Sequence, residues 1–311
     1  MAINTIGIMS PGDMGHAIGR TLRTNGMRVV TCLRGRSPRT VALAAAAGIE
    51  DVGDDLTLVR EADVLLSVLV PAEAAALAKR IAAAVTATKA ELLYVDCNAI
   101  APQTATKIAS TISAAGARFV DAGIIGGPPA PGRSGPRFYA SGTDAHEFAQ
   151  LSPVGLDVRL IGTEVGQASG LKMCYAALTK GLTALAVELL VAGEALGLSD
   201  ALRAELESSQ SGILAWIERQ APGMPSKADR WVGEMEEIAA TLGAVGLTPK
   251  MLQGAADLYR FVGKTPLGAE TPEERRQGRT LDDLVTLLAE HLSQESTRAG
   301  STAETGLPFP S

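Results

Sequence analysis

Aromatic residues are scarce in this chain, with two Trp, four Tyr and five Phe among 311 residues. Basic residues are not in excess either: 28 Lys and Arg stand against 34 Asp and Glu, a formal charge of −6. Without a basic patch interleaved with aromatic side chains, the composition argues against nucleic-acid binding. Only three cysteines are present, Cys32, Cys97 and Cys174. They lie far apart, with neither metal-site nor disulfide-framework spacing, and read as reduced, half-buried small residues of a cytoplasmic protein. No targeting segment is expected ahead of the first strand-like run, which starts almost at Met1. The longest apolar stretch, residues 171–198, is interrupted by Lys172, Lys180, Glu188 and Glu194, which argues against a membrane span. Internal repeats and low-complexity core segments are lacking. What remains is a soluble enzyme of one or two domains.

The first forty residues carry the strongest positive signal. Thr5–Met9 is a short apolar run, followed at once by Ser10, Pro11, Gly12, Asp13, Met14 and Gly15. A helix-like segment from Ala17 to Asn25 stops at Gly26, and Arg28–Leu33 is a second strand-like run ending in Arg34, Gly35, Arg36 and Ser37. This is the layout of a dinucleotide-binding βαβ unit. Glycines let the backbone approach a pyrophosphate, and the helix N-terminus presents free N–H groups to it. Ser10 stands in the first glycine place of G-x-G-x-x-G, with Gly12 and Gly15 in the second and third. The acid that would bind a free ribose 2′-hydroxyl after the second strand is missing. Arg34, Arg36, Ser37 and Arg39 are there instead, and a guanidinium pairs with a 2′-phosphate that a carboxylate would repel. The expected cofactor is therefore NADP(H), with Arg36 and Ser37 at the phosphate and Arg34 over the adenine face.

Apolar runs alternating with helical segments predict a largely parallel sheet in the first half. The runs 62–70, 92–95 and 119–120 lead into loops, and ligands bind at such strand ends. Val68, Leu69 and Val70 are expected beside the cofactor. Residues 137–141 and 158–161 read as the last two strands. The expected fold class is α/β: an N-terminal Rossmann-type doubly wound sheet, then an all-α C-terminal domain led by a long interdomain helix over 166–196. The expected domains are 1–163 for NADP binding, 164–292 for substrate and dimerisation, and a mobile tail over 293–311. Later helices are predicted over 200–219, 228–242, 250–262 and 281–292. Trp216, Trp231 and the acids Glu234, Glu236 and Glu237 read as packing and a solvated helix face. His16 reads as a surface histidine or a phosphate contact.

Four motifs occur in order: Ser10 to Gly15; Asp96-Cys97-Asn98-Ala99-Ile100-Ala101-Pro102; Asp121-Ala122-Gly123-Ile124-Ile125-Gly126-Gly127; and Gly166 through Lys172. The ordered set resembles the β-hydroxyacid dehydrogenase superfamily, which includes 6-phosphogluconate and 3-hydroxyisobutyrate dehydrogenases, over about residues 3 to 290. The second motif is similar to D-x-S-T-x-x-P, the third to D-A-P-V-S-G-G and the fourth to G-x-G-x-x-x-K. The resemblance implies that Lys172 is the general acid/base. A cationic nicotinamide nearby and a site poor in water both favour the neutral amine that a proton acceptor must be.

The departures from the family pattern fall on the substrate clamp. Ile125 replaces the carboxylate-binding serine, Asn98 and Ala99 replace the serine-threonine pair, and Ala176 replaces the asparagine after the lysine. Candidate replacements are Asn98, at a strand end and within reach of both substrate and cofactor, Gly126 and Gly127, Tyr175 one helical turn beyond Lys172, and Arg133 and Arg137 flanking the Gly/Pro-rich loop. The expected activity is hydride transfer between NADP(H) and a small hydroxy acid or related carbonyl compound. Two alternatives are an imine reductase, whose relatives usually carry Asp or Tyr at the lysine position, and an NADPH-binding regulatory protein without turnover. The apolar long helix predicts a homodimer through the C-terminal helices, with no nucleic-acid or membrane partner.

Overall fold

Two-residue alternation dictates the first half of the chain. In β1 (Thr5–Met9), Ile6 and Ile8 pack on one face of a sheet and Met9 on the other, and all three are fully buried. The computed structural model describes residues 3–129, 135–271 and 275–303. After β1 come α1 (Asp13–Thr24), β2 (Arg28–Thr31), α2 (Pro38–Ala46), the short β3 (Glu50–Asp51), α3 (Asp55–Glu61) and β4 (Val64–Ser67). Then follow α4 (Pro71–Thr88), β5 (Leu93–Asp96), α5 (Pro102–Ala114), β6 (Arg118–Ile125), β7 (Arg137–Ser141), α6 (Ala145–Phe148) and β8 (Asp157–Gly162). The eight strands form one sheet in the order β3-β2-β1-β4-β5-β6-β7-β8. All neighbours are parallel except β6 and β7. This is the doubly wound order with its reversal at β1 and β4. Short strands with both faces covered read as nearly continuous apolar runs, as in Val64-Leu65-Leu66. Pro71 and Pro102 each open a helix at its first turn, where a missing N–H costs nothing.

The 29-residue helix α7 (Gln167–Ala195) follows, about 43 Å long at 1.5 Å per residue. By length and composition alone it would pass for a membrane span. Its first turns, however, are bonded to the sheet. The other helices are α8 (Ser199–Ser209), α9 (Ser211–Gln220), α10 (Ala228–Ala244), α11 (Lys250–Gly263) and α12 (Leu281–Ala303).

The chain divides into two compact units, Met1–Ala176 with Ala240–Leu247, and Ala177–Ala239 with Thr248–Ser311. The division thus falls inside α7 and not at residue 163, because the first turns of that helix are bonded to β6 and β7. In the second unit Lys180 pairs with Glu234, and both side chains are largely buried. The Tyr259 hydroxyl donates to the Lys180 carbonyl at 2.6 Å, and the Trp231 ring lies edge-on to Tyr259.

Four expectations need correction. Glu234 belongs to this buried cluster, not to a solvated face. Residues 200–219 are two helices, because Gln210 (φ −137°, ψ 34°) leaves the helical region between α8 and α9. The tail predicted from Ser293 is helical as far as Ala303. Cys32 and Cys97 are buried and Cys174 is exposed, so none is half-buried.

Candidate active site

The glycine-rich turn is folded across the sheet's point of reversal. The Ser10 N–H donates to the Val68 carbonyl at 3.1 Å, and the Gly12 N–H to the Ser10 carbonyl at 2.9 Å. Gly15 is required here, since a Cβ would stand 2.2 Å from the Ser10 carbonyl oxygen. A Cβ on Gly12 would meet nothing within 4 Å, so the turn opens on that side. No side chain caps α1, which leaves its first N–H groups and the positive end of its dipole to an anion. Asp13 stands at this helix end, and its charge is balanced by Arg39, whose Nη2 lies 2.5 Å from Oδ1. His16 is half-buried, with Nδ1 2.7 Å from the Gly12 carbonyl oxygen, and so helps to hold the turn.

Past β2, the nearby acid Asp51 is engaged by its own backbone surroundings. Its Oδ1 accepts the N–H groups of Leu33 at 3.1 Å and Gly53 at 3.0 Å. The turn bends at Gly35 (φ +73°), and the Ser37 hydroxyl accepts the Thr40 N–H at 3.2 Å, capping α2. Arg34 is exposed and Arg36 half-buried. Among the described residues neither guanidinium is in an ion pair. An open glycine turn, a bare helix end and two uncommitted guanidinium groups fit a nicotinamide dinucleotide lying across β1 and β2.

The loops after β4 and β5 are tied together by Asn98. Its Oδ1 accepts the Leu69 N–H at 2.6 Å, its Nδ2 donates to the Ser67 hydroxyl at 2.8 Å, and its own N–H donates to Asp96 Oδ1 at 2.9 Å. Asn98, expected to bind substrate and cofactor, is 2% exposed and fixes the loop that carries Val68, Leu69 and Val70. Val68 and Leu69 are half-buried and Val70 is exposed.

Asp96, at the end of β5, and Asp121, midway along β6, pair in register, with Ser67 beside Asp96 and Ser141 opposite Asp121. Asp121 is completely buried. Its Oδ2 accepts the N–H groups of Gly166 (2.8 Å) and Ser169 (3.0 Å) and the Ser141 hydroxyl (3.2 Å), and its Oδ1 accepts the Ser169 hydroxyl (2.5 Å). These donors and the positive end of α7 offset the cost of burying a carboxylate. Asp96 is served less well. Its Oδ2 has no partner, and burial pushes its carboxyl up to about 7, with the Asn98 N–H opposing and the Asp121 charge adding.

The Asp121 anchor sets the position of Lys172. A Cβ on Gly123 would lie 2.8 Å from the Ala168 carbonyl oxygen and 3.0 Å from Lys172 Cβ, so only glycine admits α7 this close to β6. Lys172 is half-buried, and its Nζ donates to the Ile124 carbonyl. Gly126 (φ +122°) turns the chain just beyond, and Gly127 has open space around it. An amine fixed at a strand end beside exposed glycine backbone can accept or return a proton at a small ligand. Tyr175, one turn along, is 46% exposed and not core packing. Arg133 lies outside the described residues. Sequence reasoning missed the roles of Asp121, Ser141 and Ser169, although the acid that opens the third motif was visible.

Residues 5–158 match the NAD binding domain of 6-phosphogluconate dehydrogenase, and residues 194–262 match a domain of unknown function (DUF1932). An uncharacterised 28.5 kDa protein of Methanothermus fervidus is 28% identical over 260 residues, covering 83% of this chain and 98% of its own. The 3-hydroxyisobutyrate dehydrogenase of Pseudomonas aeruginosa is 29% identical over 187 residues, 57% of this chain and 59% of that protein. A solved structure, of a conserved protein of unknown function described as structurally similar to 3-hydroxyacid dehydrogenases, is 30% identical. It has a TM-score of 0.62 and aligns over 83% of this chain and 96% of its own.

Proposed function

The chain belongs to the β-hydroxyacid dehydrogenase superfamily, in a divergent branch, and on that premise we propose that it transfers hydride between NADP(H) and a small hydroxy acid or related carbonyl compound, with Lys172 as general acid/base. The coarser statement, an NAD(P)-dependent dehydrogenase or reductase, follows from the family. The observation that carries the finer one is the placement of Lys172. Asp121 holds the N-terminus of α7, Gly123 admits the helix to the sheet, and Nζ is thereby held at the Ile124 carbonyl, at the end of β6.

When bound, the dinucleotide supplies the hydride acceptor or donor. The turn from Ser10 to Gly15 and the start of α1 would hold its pyrophosphate, Arg36 and Ser37 its 2′-phosphate, and Arg34 its adenine. Val68, Leu69 and Val70 would line it, on a loop fixed by Asn98. Lys172 takes the hydroxyl proton during oxidation and returns it during reduction. The Ile124 carbonyl directs the amine in the meantime, by accepting one of its N–H groups. Gly126, Gly127 and Tyr175 would border the substrate.

The same reading includes a cytoplasmic homodimer. Along α7, Leu171, Leu178 and Leu185 recur at seven-residue spacing and are 38%, 66% and 56% exposed. Such a seam matches a second copy of itself. The activity is tested with a panel of hydroxy acids, ketones and imines followed by NADPH absorbance, in wild type and Lys172→Met. Turnover of an acid or carbonyl compound that falls at least about a hundredfold in the variant, with NADPH affinity unchanged, is expected. Turnover confined to imines, NADPH binding without any turnover, or a variant keeping more than about a tenth of kcat would overturn the assignment.

A further inference from the structure

Among the described residues, the face of the sheet that receives α7 carries a cation, Arg137, whose side chain the fold leaves without a hydrogen bond. β6 and β7 pair antiparallel with Asp121 opposite Ser141, Gly123 opposite Tyr139 and Ile125 opposite Arg137. Paired residues share a face, and alternate residues along a strand return to it. Two observations identify that face. The Asp121 and Ser141 side chains bond the first turn of α7, and the Cβ direction of Gly123 points at Ala168 and Lys172. Ile125 and Arg137 are the next pair along the same face. Lys172 Nζ meets the carbonyl of Ile124, the residue just before the one opposite Arg137. Antiparallel partners have Cα atoms about 5 Å apart, so Arg137 stands one strand over from the backbone that holds the lysine.

Arg137 is half-buried, and among the described residues its side chain makes no hydrogen bond or ion pair. Its Nε is buried without an acceptor. The acid beside it on β8, Asp157, feels the Arg137 charge but accepts its hydrogen bonds from Arg159, from Nε at 3.0 Å and Nη2 at 2.8 Å. A cationic N–H buried without an acceptor is costly, and its retention points to an acceptor that arrives with the ligand. Ile125, in the place where the family carries a carboxylate-binding serine, offers no hydrogen bond. Its cross-strand partner offers a planar fork of donors matched to two carboxylate oxygens.

We propose that Arg137 is the substrate clamp of this branch: its guanidinium holds the carboxylate of a small hydroxy or oxo acid beside Lys172, in the role that Ile125 cannot fill. The clamp makes the enzyme selective for acids over their neutral esters, and it rests on the reading of Lys172 as the proton-transfer group only for the identity of the reaction.

The test separates the two. Binding of 3-hydroxypropanoate and 3-hydroxyisobutyrate, and of their methyl esters, is measured by calorimetry on the NADP+-loaded full chain, and turnover by NADPH absorbance. Wild type should bind the acids on the order of a hundredfold more tightly than the esters. Arg137→Met should lose that preference with NADP+ affinity unchanged, and Arg137→Lys should restore part of it. Arg137→Gln, which keeps a polar head, serves if the methionine variant does not fold. Equal binding of acid and ester by wild type, no acid binding at all, or a preference that survives in Arg137→Met or Arg137→Gln would overturn the clamp. Lys172→Met should still bind the acids while losing turnover. If it keeps turnover while Arg137→Met loses acid binding, the lysine reading fails and the clamp stands.

Discussion

Replacing Asp96 by asparagine should stabilise the protein progressively as pH rises. Asp96 is completely buried at the end of β5, its Oδ2 lacks a partner, and its carboxyl is pushed up to about 7. An unfolded aspartate titrates near 3.9, so between about pH 4 and 7 the folded chain holds a proton that the unfolded chain has released. Stability tied to this group is therefore complete below about pH 4, falls as pH rises, and levels off above about pH 7. A displacement of roughly three pH units corresponds to about 4 kcal/mol at the plateau, of which about 1.5 kcal/mol is already present at pH 5. The substituted amide would keep an oxygen for the Asn98 N–H and carry no charge to lose beside Asp121. The difference in unfolding free energy between D96N and wild type should thus move in favour of the variant by about 2–3 kcal/mol between pH 5 and pH 8. Other titrating groups cancel in that difference. Urea unfolding of both proteins at several pH values measures it. A difference that is flat with pH would show that Asp96 is ionised and solvated at neutral pH, and would refute the packing described for β5 and β6.

Arg36→Ala should weaken NADPH on the order of ten- to a hundredfold and leave NADH unchanged, since it removes charge-assisted bonds to the 2′-phosphate alone. Equal affinity of wild type for the two dinucleotides, read by fluorescence titration, would contradict the assignment of that turn. Leu178→Glu with Leu185→Glu should convert a dimer to a monomer in sedimentation at micromolar concentration, because the exposed seam of α7 would then carry charge on both copies. A wild type that sediments as a fully active monomer would remove the dimer from the proposal.

What could be read from the sequence depended on how local the determinants are. The turn from Ser10 to Gly15 was legible because strand, glycines and helix start lie within a few residues of one another. The anchor of α7 was not, since Asp121 collects its donors from Ser141, Gly166 and Ser169, between 20 and 48 residues away. The structural part that Asn98 plays was hidden for a related reason: a polar side chain at a strand end looks the same in the sequence whether or not it joins two loops, as it does here. Apolar periodicity placed most helices but could not find the break at Gln210, where neither glycine nor proline marks it. Nor could it follow α12 beyond its apolar stripe to Ala303. Lys172 shows the limit most clearly. On an apolar helix a lysine is equally a surface charge reaching for water. What separates the two readings is Gly123, on a different element and 49 positions earlier by the numbering, whose missing Cβ lets the helix settle on β6 and brings the amine to the Ile124 carbonyl. A side chain at residue 123 would lift α7 from the sheet, and the same lysine on the same helix would no longer be held at the Ile124 carbonyl.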